Sequence, residues 1–212
     1  MQKKWVLITG VSSGIGFQIA NDLLEKGYFV LGVSRSLTRK VEHLKTNHPG
    51  CFVFETLDLV KDIDALPKWV LTKSKELGRF YGFVHSAGVQ QIVPLQVNTY
   101  GHMREIFDLN VFSGLALAKG IADKRVMNVQ GGSVVFISSI ASKQGKAGLV
   151  NYSASKGALN SAARSMAKEL APRKIRVNSI LPGFVMTEMI EKWKDVYNED
   201  YIEKTKKSYP LG

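Results

Sequence analysis

The sequence predicts a single-domain, three-layer α/β/α protein, a doubly wound parallel sheet covered by helices on both faces. Short β-branched and aromatic runs alternate with longer stretches at helical spacing, and no repeat, low-complexity tract or linker interrupts them. A length of 212 residues suits one such domain.

Trp5-Val6-Leu7-Ile8 is short and apolar and ends at Thr9-Gly10, which marks a buried strand. Ile15, Ile19 and Leu23 then recur on one helical face, and Gly27 is a natural stop. Further strands are expected over 28–33, 52–57, 82–85, 134–137 and 175–180. Helices are expected around 37–46, 62–77, 99–126 and 151–171.

Composition excludes several classes. With 45% hydrophobic and 22% charged residues the chain resembles ordinary soluble globular proteins. One cysteine, Cys51, allows no internal disulfide, and neither a signal-peptide pattern nor a membrane-length apolar stretch is present. The expected setting is a reduced cytoplasm, with no membrane partner. Lys and Arg number 29 against 18 acids, a formal charge of +11. These cations are spread from Lys3 to Lys207 and interleave with acids, so they read as solvated faces rather than a nucleic-acid groove. The excess still favours anionic ligands, including a phosphorylated cofactor or an acidic carrier protein.

Thr9-Gly10-Val11-Ser12-Ser13-Gly14-Ile15-Gly16 joins the first strand to the first helix. Glycine permits positive φ and close backbone approach, and the helix start offers free N–H groups to a diphosphate. Such a turn can be a plain tight connection, but in the first βα unit it points to a dinucleotide. The second strand ends at Ser34-Arg35, where an NAD-binding chain usually carries an acid for the adenosine ribose. A guanidinium there suits a 2′-phosphate, so NADP(H) is expected over NAD(H). Asp58, with Leu59 beside it, is placed to meet the adenine or else to cap a helix.

Tyr152 and Lys156 are four apart on a helical segment and share one face. A nearby ammonium stabilises a phenolate, which would bring the tyrosine toward the range useful in acid–base catalysis. Val134-Val135-Phe136-Ile137 delivers Ser138 and Ser139 to the carboxyl edge of the sheet, where ligands of such folds bind. Strand alternation turns the two serines to opposite faces, and Ser139 is the better donor to a substrate oxygen.

In these residues the chain resembles the classical short-chain dehydrogenase/reductases, from Lys4 to about Thr187. The likeness rests on Thr9-Gly10-x-x-x-Gly14-Ile15-Gly16, Ala87-Gly88, Asn110, Ser139, Tyr152-x-x-x-Lys156, Asn178 and Pro182-Gly183, in that order. It implies a Rossmann-type fold, Tyr152 as the general acid of reduction and Ser139 as the group positioning the carbonyl. Lys156 would bind the nicotinamide ribose as well as tune the tyrosine. Asn110 would hold a relay water, and Pro182, Gly183 and Thr187 would flank the nicotinamide and phosphates. Ser86 stands where the family commonly has asparagine, and replaces part of its hydrogen bonding. Related chains continue into another helix and a seventh strand that these 212 residues do not contain.

The resemblance also implies a mobile substrate lid over 184–208 and a homodimer or homotetramer. The row Ala154, Ala158, Ser161, Ser165 permits close packing on the sheet or against a second subunit. His43 and His48 lack metal-ligand company, so no metal is expected, and His85 reads as structural. Gln90, Gln91 and Gln144 hint at a polar substrate.

Similarity is greatest to 3-oxoacyl-carrier-protein reductases, including the ending Tyr209-Pro210-Leu211-Gly212. Arg173 and Lys174 would face an acyl carrier protein. Sugars, polyols, steroids and small ketones remain open as substrates, as does a catalytically idle dinucleotide-binding regulator. The intact set Asn110, Ser139, Tyr152 and Lys156 argues against the regulator.

Overall fold

The computed structural model describes residues 3–191, 193–207 and 209. Six parallel strands, β1 (Trp5–Thr9), β2 (Phe29–Ser34), β3 (Phe52–Thr56), β4 (Phe80–His85), β5 (Gly132–Ile137) and β6 (Ile175–Ile180), form one sheet. Its order is β3-β2-β1-β4-β5-β6. The order reverses between β1 and β4, and the diverging connections leave a crevice at the carboxyl ends of the strands.

Side-chain alternation along β1 builds the two buried layers. Leu7 faces the core formed with α3 (Leu66–Leu77), α5 (Ser113–Ile121) and α7 (Val150–Leu170), among Phe83, Leu117, Phe136 and Leu159. Val6 and Ile8 face the other, formed with α1 (Gly14–Glu25) and α2 (Arg39–Asn47), among Ala20, Leu24, Val41 and Leu44. Burying apolar area on both faces is what makes these strands hydrophobic throughout, at about 25 cal/mol per Å².

Two helices depart from their expected bounds. The third begins at Leu66 rather than 62, because Pro67 favours a first turn and the Asp62 carboxylate accepts the Ala65 N–H just before it. The segment expected as one helix over 99–126 is α4 (Tyr100–Phe107) and α5, joined by a wider π-helical turn at Asp108–Phe112. Past Ile121 the chain leaves the helix, with Asp123 accepting the Arg125 N–H. Three short α-helices, α6 (Ala141–Gln144), α8 (Glu188–Glu191) and α9 (Glu199–Lys207), and two 3₁₀ turns, Leu95–Val97 and Ala171–Arg173, complete the described chain. Of the segment expected as a lid, Lys192 and Ser208 lie outside the described residues, as do Pro210, Leu211 and Gly212 of the chain's ending.

The row Ala154, Ala158, Ser161, Ser165 points away from the sheet, while Ser155, Lys156, Leu159 and Ala163 of α7 are buried. Packing of that row on the sheet is therefore excluded.

Candidate active site

A cleft of about 820 Å³ opens at the crevice, and most of the expected residues line it. They are Gly10, Ser12, Ser13, Gly14 and Ile15 from the first turn, Ser34 at the end of β2 with Arg35 after it, and Leu59 after β3. Ser86, Ala87 and Gly88 follow β4, Ser139 follows β5, Tyr152 and Lys156 come from α7, and Pro182, Gly183 and Thr187 follow β6. Gly16, Asp58 and Asn110 do not line it. Gly16 lies one layer behind the turn. Asp58 is exposed and its carboxylate accepts the Val60 N–H, closing its own turn. Asn110 is fully buried behind Gly88, where an added Cβ would lie 3.1 Å from its Oδ1.

The first turn has the shape of a phosphate cradle. Gly10 takes φ 74°, and a Cβ on it would stand 2.8 Å from the Ala87 nitrogen. A Cβ on Gly16 would meet the Gly10 carbonyl carbon at 2.8 Å, so the helix can press on the turn only with glycine there. The Gly14 N–H, at the positive end of α1, donates to the Glu188 carboxylate at 3.0 Å. Lys40 pairs with the other oxygen at 2.5 Å, and that cation, with the backbone bonds, holds the Glu188 carboxyl below its ordinary value. A carboxylate thus stands where a phosphate oxygen of a dinucleotide would be held, and the residues present fit that group. Thr38 donates to the Ser12 carbonyl at 3.1 Å and ties the turn to the start of α2.

At the adenosine end, Ser34 is buried and its hydroxyl donates to the Ser36 carbonyl at 2.9 Å. Arg35 lines the cleft with its side chain exposed. Ser34-Arg35-Ser36 presents no carboxylate.

The catalytic end is assembled from β5 and α7. The Lys156 ammonium is buried and donates to the Ile137 carbonyl at 2.8 Å, while its Nζ lies 5.6 Å from the Tyr152 ring centroid. Burial lowers the Lys156 pKa to about 8. Tyr152 departs from expectation. Its pKa is raised, because burial outweighs the opposing hydrogen bond with Ser139. The phenol is therefore fully protonated at neutral pH, the form a proton donor in carbonyl reduction requires.

The two serines differ in their partners. Both line the cleft, but Ser138 is buried and donates to the Lys156 backbone carbonyl at 2.9 Å, whereas the Ser139 hydroxyl hydrogen-bonds with Tyr152. Asn110, in the π-helical turn, accepts the Val89 N–H at 2.8 Å and donates to the Val89 carbonyl and to Ser155 Oγ at 3.0 and 3.1 Å. A π-helical turn at such a position is a common device for aiming a functional residue.

Gln90 and Gln144 line the cleft, and Gln90 donates to the Tyr197 hydroxyl at 2.5 Å. Gln91 instead donates to Glu105 at 2.6 Å and lies off the cleft. Arg173 donates to the Ala122 carbonyl, which commits part of its guanidinium to the fold. Among the described residues no cluster of His, Cys, Asp and Glu could hold a metal, and no helix is long and apolar enough to cross a membrane.

Sequence reasoning missed the wall opposite the catalytic end. Phe184, Tyr197 and Tyr201 pack with ring centroids 5.1–5.9 Å apart, and Lys146 lies 4.9 Å over the Tyr201 ring. Aromatic spacing at 193, 197 and 201 was the available signal.

The fold and this site define a dinucleotide-binding oxidoreductase scaffold, and comparison with known proteins agrees. The profile of the short chain dehydrogenases matches residues 4–198. The chain belongs to the short-chain dehydrogenase/reductase family of oxidoreductases. It is 32% identical to a human 3-oxoacyl-[acyl-carrier-protein] reductase, over 97% of this chain and 82% of that protein. It is 30% identical to a 3alpha-hydroxysteroid dehydrogenase of Mediterraneibacter gnavus, over 90% of this chain and 77% of that protein. Among solved structures it superposes on ElxO with NADP bound with a TM-score of 0.82 at 28% identity, covering 92% of this chain and 79% of that one.

Proposed function

We propose that the protein is an NADP(H)-dependent carbonyl reductase acting on 3-oxoacyl thioesters. The observation that carries the reading is the pairing of a protonated, cleft-facing Tyr152 and a buried Lys156 with an Arg35 end that lacks a carboxylate. The dinucleotide, when bound along the first turn, supplies the hydride. Tyr152 gives its proton to the substrate oxygen as charge develops there, and Ser139 donates a second hydrogen bond to the same oxygen. Lys156 then stabilises the phenolate left behind, and Asn110 anchors the turn through which a relay water would reach the lysine.

The thioester reading is supported by the named activity of the human relative and by a net charge of +11, which suits an acidic acyl carrier protein. A second reading, a small polar ketone, is favoured by Gln90 and Gln144 on the cleft wall. Loss of nicotinamide absorbance with NADPH and a panel of acetoacetyl thioesters and polar ketones decides between them. Fluorescence titration with NADPH tests binding separately, and absence of turnover across the panel despite binding would leave the idle regulator. The reading includes a cytoplasmic setting and a homodimer or homotetramer. Exposed Tyr100, Phe112 and Val150, at 71%, 44% and 45%, support assembly through α4, α5 and α7. Sedimentation as a monomer at micromolar concentration would refute it.

A further inference from the structure

His85 ends β4 with its ring 1% exposed, and both ring nitrogens have defined partners. Thr9, the last residue of β1, accepts the backbone N–H groups of Ser86 and Ala87, both at 3.1 Å, on its hydroxyl oxygen. With its acceptor capacity so occupied, that hydroxyl directs its one proton at His85 Nδ1, 3.0 Å away. Nδ1 is thereby an acceptor, and the neutral ring carries its proton on Nε2. Nε2 faces the Asn110 backbone carbonyl at 3.3 Å. Burial, with the Lys156 charge nearby, pushes the imidazole pKa down to about 3 and keeps the ring neutral.

Beyond Asn110 the chain of hydrogen bonds continues. The Asn110 amide donates to Ser155 Oγ at 3.1 Å, and Ser155 donates to the Tyr152 backbone carbonyl at 2.7 Å. A buried path therefore runs from the first turn through His85 to the backbone of the catalytic helix. The ring has little freedom to leave it. A Cβ on Gly114 would meet His85 Cδ2 at 2.6 Å, and the Phe83 and Phe136 rings lie 6.1 and 6.3 Å away.

We propose that His85 is a positioning residue for proton transfer, which holds the Asn110 turn in register with Tyr152 and Lys156 and couples it to the first turn. This rests on the reductase reading. A merely structural histidine would be replaceable by any side chain of its shape, at a cost in stability alone.

Two measurements test it. Imidazole ¹⁵N shifts on the wild-type chain should show the neutral ring with its proton on Nε2, from pH 5 to 8. A ring protonated on Nδ1, or charged in that range, overturns the proposal, and this readout needs neither activity nor a variant. In His85→Phe both hydrogen bonds go while the ring shape stays, and kcat should fall by about 10- to 100-fold with the NADPH Kd within about threefold. His85→Asn, which keeps a donor and an acceptor, should restore kcat to within about fivefold of wild type. A His85→Phe kcat near wild type, or an asparagine variant as slow as the phenylalanine one, overturns it. If His85→Phe fails to fold, the wild-type tautomer and the asparagine variant still decide. Failure of the reductase reading looks different, because the wild type itself would then turn over no member of the panel.

Discussion

The floor of the cleft and the described part of the segment over it, residues 184–191 and 193–207, are built by opposite means. At and beneath the floor, His85, Asn110, Ser138 and Lys156 are buried; His85, Ser138 and Lys156 are hydrogen-bonded to backbone of a helix or strand, and Asn110 to the Val89 backbone just after β4. The overlying segment is held by side chains near solvent: Glu188 to Lys40, Tyr197 to Gln90 and Tyr201 to Lys146. Buried charge-assisted bonds are costly to break, whereas exposed ion pairs are worth only about 0–1 kcal/mol. The difference teaches a division of labour. On the proposed reading, proton transfer would sit where geometry is fixed, and substrate entry where contacts can open cheaply.

The largest effect should come from the floor. Tyr152→Phe removes one hydroxyl and no packing, so NADPH affinity should persist while kcat falls by about 10²–10⁴-fold. A rate above about a tenth of wild type would show that the proton comes from elsewhere.

Lys156 tests how dry the floor is. Its folded pKa of about 8 lies below the ordinary lysine value of 10.5, so the folded state disfavours the charged form. The sign is that of a depressed lysine. The cost is present in full below pH 8, declines between pH 8 and 10.5 as the folded state sheds its proton, and is gone above. Relative to Lys156→Met, the wild type should gain up to about 3 kcal/mol of unfolding free energy across that window. Paired denaturant titrations at pH 7.5 and 10.5 read it, and a flat difference would mean that water reaches the ammonium.

Much of the floor was legible because its signals are local. Gly10, Gly14 and Gly16 fit one turn, Tyr152 and Lys156 share one helical face, and β5 delivers Ser138 and Ser139 to the carboxyl edge of the sheet. The parallel, doubly wound sheet followed from the βα alternation. What was illegible depends on neighbours distant in sequence. The Asp108–Phe112 widening lies beside the place where His85 closes on Gly114, and nothing in the helical period announces it. The elevated Tyr152 pKa follows from burial, which spacing to Lys156 could not reveal. Glu188 reaching Gly14 spans 174 positions of chain.

The proposed preference for NADP(H) is tested at Ser34 and Arg35. Ser34→Asp with Arg35→Ala introduces the carboxylate that ribose hydroxyls prefer and removes the cation that a 2′-phosphate would use. Losing a charge-assisted contact of about 1.5–3 kcal/mol should shift the NADPH-to-NADH preference by about one to two orders of magnitude. Dissociation constants for both cofactors in both proteins measure it. An unchanged ratio would reduce Arg35 to a surface residue.

The smallest expected effect tests the overlying segment most directly. Glu188 places a carboxylate on the Gly14 N–H, at the end of α1 that favours anions, and Lys40 steadies it there. A dinucleotide phosphate needs the same N–H and carries the same sign of charge, so the two compete. Glu188→Gln keeps the shape and loses the charge, and the NADPH Kd should fall. Since Lys40 and Glu188 are both partly exposed, the gain should be at most about 1 kcal/mol, or about fivefold. Screening should shrink it further as salt rises, because the Debye length contracts from ~10 Å at 0.1 M to ~3 Å at 1 M. The control is Lys40→Met, which frees Glu188 from its partner without touching the Gly14 N–H, and it should tighten NADPH less than Glu188→Gln does. Weaker NADPH binding in Glu188→Gln would reverse the picture. The carboxylate would then hold the segment in the shape that receives the cofactor, and the cheap contacts of the rim would be serving the floor rather than yielding to the ligand.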